Sequence, residues 1–149
     1  MSSVSKMGHT FLFEEGRWKA EGFFRDARGH TVLATAETCI LHSWDRWVME
    51  GFIEIEGEVP RRIENRYLVE PFDGRDITSW TSENPALGTL RGTFTIVGDS
   101  ILSCYSDASG EYGGMEYLRF IDGDSYINRG ALLKEGELVS SWSVTLRRV

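Results

Sequence analysis

Apolar and polar positions alternate along most of this chain, in short runs cut by glycine and Asp/Asn turns. No long segment carries apolar residues at helical spacing, so the pattern predicts strands throughout. The first long run puts Trp18, Ala20, Gly22 and Phe24 on one face, and residues 26–30 read as a hairpin turn. Residues 31–41 are rich in β-branched side chains. Residues 47–55 set Met49, Gly51, Ile53 and Ile55 opposite Glu50, Phe52 and Glu54, and Pro60 stops that run. Residues 62–70 place Ile63, Asn65, Tyr67 and Val69 on the less charged face, before a turn at Pro71 to Gly74. Strand-like runs follow at 75–82, 89–97, 101–106, 111–120, 125–133 and 138–148. In the last of these Leu138, Ser140, Trp142, Val144 and Leu146 share a face.

About ten strands joined by short turns imply antiparallel neighbours in chain order. A meander of this length leaves two open edges unless it closes on itself. The fold class is therefore all-β: a closed up-and-down antiparallel barrel of about 8–10 strands, a number whose interior is filled by side chains or holds one small ligand. A Greek-key sandwich needs longer connections than the sequence offers. The expected organisation is a flexible tail over 1–13 and one barrel domain over 14–149.

Composition narrows the partners. The net charge of −7 argues against nucleic acid, which calls for a basic face, and against an anionic membrane surface. No apolar run approaches the roughly 18–20 residues of a spanning helix. The start shows no signal-peptide pattern, so a cytoplasmic location is expected. Cys39 and Cys104 lie in no metal or redox motif and read as two buried free thiols. The histidines are His9, His30 and His42, with no spacing that completes a metal site. A haem would need an axial ligand, for which His42 is the one serious candidate. No cofactor or metal is expected.

Three features carry a resemblance. Gly16 and Trp18 form a G-x-W at the start of the first long strand, the hairpin meander covers roughly residues 14–148, and the last strand ends in Arg147 and Arg148. Together they resemble the calycins: lipocalins, fatty-acid-binding proteins and small bacterial lipocalin-like barrels. The resemblance implies that a late arginine lies across Trp18 and closes the barrel floor. It also implies a ligand-sized cavity. The chain departs from fatty-acid-binding proteins, because a tight turn at 26–30 replaces their helical lid and the late Arg-x-Tyr clamp has no match.

Candidate ligand-binding residues are the mid-strand aromatics Trp80, Phe94, Tyr105, Tyr117, Tyr126 and Trp142, with Asn65, Tyr67, Arg119 and Asn128 as orienting polar groups. An inward Arg119, sharing a face with Met115 and Tyr117, could clamp a ligand carboxylate. Alternatively it pairs with Glu116 or Glu37, or a bulge near the glycines at 113–114 turns it to solvent. The expected function is binding of a small hydrophobic or amphipathic molecule inside the barrel. One alternative is an isomerase, cyclase or dehydratase using His42, Asp45, Glu116, Tyr117 and Arg119. Another is a filled barrel that associates, as a homodimer for example, through Phe52 or Trp80 if either lies outside.

Overall fold

The computed structural model describes residues 8–149. Ten strands run in chain order: β1 (Gly16–Asp26), β2 (Thr31–His42), β3 (Trp47–Ile55), β4 (Arg61–Val69), β5 (Ile77–Asn84), β6 (Gly88–Val97), β7 (Ser100–Asp107), β8 (Tyr112–Asp122), β9 (Ser125–Lys134) and β10 (Glu137–Arg148). Each pairs antiparallel with its neighbour in sequence, and β1 pairs with β10. The meander therefore closes into a barrel, and the alternation found in the sequence becomes an inner and an outer wall.

The inner face follows the predicted parity on most strands. Trp18 and Ala20 are buried on β1, Met49 and Ile55 on β3, Phe94 and Ile96 on β6, and Leu146 on β10. The outward glutamates Glu50 and Glu54 are exposed, as a half-buried sheet requires, whereas Glu56 and Glu58 lie exposed in the turn after β3 instead of on a strand face. In β10 the register shifts between Leu138 and Ser140, so the bulge turns Leu138 outward while Ser140 stays buried. The cysteines differ from expectation. Both are free, but Cys39 is only half-buried and Cys104 is exposed, because odd-numbered β2 and even-numbered β7 positions at these sites face out.

One end of the barrel is sealed. Trp18 pairs across the closing seam with Arg148. The Arg148 guanidinium lies 5.6 Å from the Trp18 ring centroid, a cation–π distance. It donates to Glu14 Oε1 at 2.9 Å and to the Glu15 carbonyl at 3.1 Å. Arg148, not Arg147, is thus the closing arginine. Among the described residues the buried indole N–H of Trp18 has no hydrogen-bond partner, so packing and the Arg148 contact hold that side chain.

The segment before β1 completes the seal. A flexible tail over 1–13 was expected; its first seven residues lie outside the described part, and residues 9–13 are packed. His9, Phe11 and Leu12 are buried. Phe11 meets Trp18 edge-on at 5.5 Å, and Phe13 packs on Phe72 and Trp47. His9 Nε2 faces the Gly98 carbonyl at 3.0 Å, so that nitrogen carries the proton. Nδ1 then accepts from the Tyr126 hydroxyl at 2.7 Å, and that hydroxyl accepts from the Thr10 N–H at 3.2 Å. Burial lowers the His9 pKa below its usual value, in keeping with a neutral ring.

At the opposite end lie the turns at 27–30, 56–60, 85–87, 108–111 and 135–136. The last is a two-residue hairpin in which Glu135 and Gly136 both have positive φ, the geometry of a tight type I′ turn. The weakest joint is between β4 and β5, which pair over only three residues, Tyr67–Val69 with Trp80–Ser82. Beyond that point β4 continues from Arg61 to Arg66 with no partner on the β5 side.

Candidate functional site

The barrel encloses a cavity of about 260 Å³. It lies just below the roughly 300–1,000 Å³ common for small-molecule sites. Its wall is mostly aliphatic and aromatic, with Ala20, Ala34, Ala36, Met49, Ile53, Ile63, Leu118, Val144 and Leu146 among the lining residues. The small side chains of β1 and β2 leave the space that the larger ones on β3, β4 and β8 surround. Phe11 reaches in from the floor, and Leu87 folds in near the mouth. The 85–87 turn is held by Asn84, whose Oδ1 accepts from the backbone N–H groups of Ala86 and Leu87.

Glycines shape the aromatic part of the wall. A Cβ on Gly130 would lie 2.2 Å from the Trp142 ring, and one on Gly114 would lie 2.3 Å from the Tyr105 ring. Gly130 is the cross-strand partner of Trp142, and Gly114 that of Tyr105. Each ring therefore lies flat across a glycine instead of projecting to the barrel axis. The cavity stays open because these positions have no side chain.

Polar groups are set among the apolar wall residues. Asn65, Tyr67, Tyr105, Glu116, Asn128 and Trp142 all line the cavity. Asn128 Nδ2 donates to Glu116 Oε2 at 3.2 Å and to the Tyr117 carbonyl at 3.0 Å. The Trp142 indole N–H lies near enough to the Glu116 carboxyl to favour its charged form. Glu116 keeps some exposed area because it faces the cavity, but protein encloses it on its other sides. Burial raises its pKa above the ordinary 4.5, and the Asn128 and Trp142 contacts only partly oppose that shift. The Tyr67 and Tyr105 hydroxyls are pushed well above the usual phenol value, first by burial and then by the nearby Glu116 charge. Among the described lining residues there is no lysine, arginine or histidine, and Glu116 is the single carboxylate.

Of the residues predicted to bind, Asn65, Tyr67, Phe94, Tyr105, Asn128 and Trp142 line the cavity. Trp80 and Tyr126 point inward but are packed beneath it. Trp80 donates to Ser103 Oγ at 3.3 Å and packs against Tyr67 and Phe94. Tyr126 belongs to the floor with His9 and Phe11. Two placements are corrected. Tyr117 and Arg119 lie on the outer face of β8, because Gly114, Glu116 and Leu118 take the inner one. Arg119 pairs at 3.4 Å with Asp99, and both side chains are more than half exposed, so no carboxylate clamp forms.

The enzyme suspects separate in the same way. His42 Nε2 contacts the Leu12 carbonyl at 2.6 Å and its ring stacks on Trp47 at the sealed end. Asp45 is exposed and accepts from Ser43 Oγ, so the His42–Asp45 pair does not form. His42 does not line the cavity and could not serve an interior haem. Only Glu116 of that set faces the interior. The association reading loses Trp80, which is buried, while Phe52 is half-buried with the Arg62 guanidinium 3.7 Å from its ring centroid.

The sequence points to Glu116 only as a partner for Arg119 or an enzyme suspect; it puts Met49 on the apolar face of its strand without marking it as a ligand contact, and it leaves Phe11 in the tail. The signal for Glu116 was the hairpin register. Tyr105 shares the inner face of β7 with Ile101 and Ser103, and the four-residue turn at 108–111 pairs it with Gly114. That pairing sends Glu116 inward.

No protein-family model matches the chain, and no curated protein matches it in sequence. Among solved structures it is similar to the S-type phycobiliprotein lyase CPES from Guillardia theta, with a TM-score of 0.64 and 8% identity over 100% of this chain and 97% of that one. An N-terminal dehydratase from the difficidin assembly line also matches, at 11% identity over 99% of this chain and 83% of that one, but its TM-score of 0.28 carries no argument. The lyase likeness and the barrel closure agree on the architecture: the fold is a closed, ten-stranded, up-and-down antiparallel β-barrel, lipocalin-like in form.

Proposed function

We propose that this chain binds a small, largely apolar molecule inside its barrel. The observation that carries the reading is the cavity itself: about 260 Å³ of apolar and aromatic wall with one cluster of polar groups at Glu116 and Asn128. Such a site supplies affinity through buried apolar area and orientation through a few fixed polar atoms. A barrel that served only as a scaffold would gain stability by filling this space with side chains. Here Gly114 and Gly130 hold two large rings against the wall instead. The phycobiliprotein lyase supports the fold; its activity is named for that protein, and at 8% identity no residue role passes to this chain.

Calorimetric titration with 1-naphthylmethanol and with its amine analogue tests the reading. At least one should bind saturably at one molecule per chain and change tryptophan emission through Trp142. Absence of saturable binding by both would reject a ligand-binding interior.

An enzyme is the second reading, and Glu116 is what favours it. A carboxyl whose pKa burial raises can hold a proton to higher pH and deliver it to a bound molecule. If chemistry occurs, Glu116→Gln abolishes turnover while leaving one-to-one occupancy of the cavity intact. Unchanged turnover in that variant would remove Glu116 from the role.

A further inference from the structure

We propose that the molecule bound in this interior carries one basic nitrogen, whose positive charge pairs with Glu116. The inference rests on the binding reading and adds the chemical class of the ligand.

The charge inventory of the cavity comes first. Glu116 is its one carboxylate, and none of the described lining residues is a lysine, arginine or histidine. At the mouth Arg61 stacks over the Phe24 ring at 5.8 Å, but it is exposed and not part of the lining. A buried carboxylate without a cation is costly, and its usual remedies are protonation or a partner charge. Burial favours the first, raising the Glu116 pKa. A cationic ligand would supply the second.

The hydrogen bonding agrees. An ionised carboxylate offers about four lone-pair sites. Asn128 donates to Glu116 and the Trp142 indole N–H lies near, both on the wall, so acceptor capacity remains toward the cavity. The groups that face Glu116 are Tyr67 on β4, Tyr105 on β7, Asn128 on β9 and Trp142 on β10. None is cationic. Three of them present aromatic rings, whose electron-rich faces attract an ammonium group. An anion fits less well: a ligand carboxylate would meet Glu116 and find no positive charge in the described lining, with only the neutral Tyr67 and Tyr105 hydroxyls as donors. The site is thus opposite in sign to one that holds fatty acids through an arginine.

The proton balance is explicit. Wherever Glu116 holds its proton, binding of a preformed ammonium ion forms the carboxylate–ammonium pair and releases that proton to solvent. Affinity for such a ligand therefore rises with pH through the raised Glu116 pKa, until the amine itself loses its proton.

Three shape-matched probes test this on the full chain by calorimetry at neutral pH: 1-naphthylmethylamine, 1-naphthylmethanol and 1-naphthoic acid. The amine should bind at least about tenfold tighter than the alcohol, a gap of about 1.4 kcal/mol. The acid should bind weakest, and Glu116→Gln should level the amine with the alcohol while its near-ultraviolet circular dichroism stays native. Measured in two buffers of different ionisation enthalpy, the amine should release up to one proton. Equal binding of the three probes, or an amine preference that survives Glu116→Gln, overturns the inference while leaving the binding reading in place. Binding of none of them removes both.

Discussion

Trp18 and Glu116 show how two inward side chains of one barrel can have opposite roles. Trp18 is 1% exposed, lies under Arg148 and has an indole N–H with no hydrogen-bond partner among the described residues, so its contribution is packing at the sealed end. Trp18→Ala should destabilise the chain by about 3–5 kcal/mol, the range for a large aromatic removed from a core. Chemical denaturation measures this, and a loss below about 1 kcal/mol would show that the floor does not depend on it. Glu116, by contrast, opposes folding when ionised, because burial disfavours its charge. Its ordinary pKa is 4.5 and burial raises it in the folded chain. Between 4.5 and the raised value the folded chain holds a proton that the unfolded chain has released, so stability falls as pH rises through that window. Glu116→Gln should therefore melt at a higher temperature than the parent at neutral pH, and the difference should shrink as pH falls toward 4.5. A variant less stable at neutral pH, or a difference independent of pH, would contradict this account of the carboxyl.

At the scale of strands, alternation in the sequence located all ten elements to within a few residues, because each has one apolar and one polar face. It could not orient β8, where Met115 and Tyr117 look more apolar than Gly114 and Glu116. Periodicity ranks faces by hydrophobicity, but a cavity wall can be made of glycine and a carboxyl, and only the register with Tyr105 decides it. The packing of residues 9–13 was hidden for another reason. Phe11 and Leu12 form no strand, so no period marked them, and their burial depends on the floor that β1 and β9 build. The candidate site was legible where strands alternate cleanly, at Asn65, Tyr67, Asn128 and Trp142. The short β4–β5 pairing was not visible in either strand's pattern. It predicts that backbone amides of β4 between Arg61 and Arg66 directed toward β5 exchange faster with deuterium than the fully paired amides of β9 and β10. Uniform protection around the barrel would argue against an open seam.

For the molecule as a whole, closure and hollowness go together. The β1–β10 seam removes the sheet edges, the 9–13 segment and Arg148 seal one end, and the interior keeps about 260 Å³ beside a single carboxylate. The stability that this space forgoes is recovered when something fills it, since a ligand bound only by the folded chain stabilises that state by mass action. The most direct test of a ligand-holding interior is to locate a bound molecule by nuclear magnetic resonance. With 1-naphthylmethylamine at saturation, intermolecular Overhauser contacts should connect its ring protons to the methyl groups of Met49, Leu118 and Val144, which line the cavity. Contacts confined to exposed methyls such as those of Leu33, Leu41 and Val97, or no contacts at all, would contradict it.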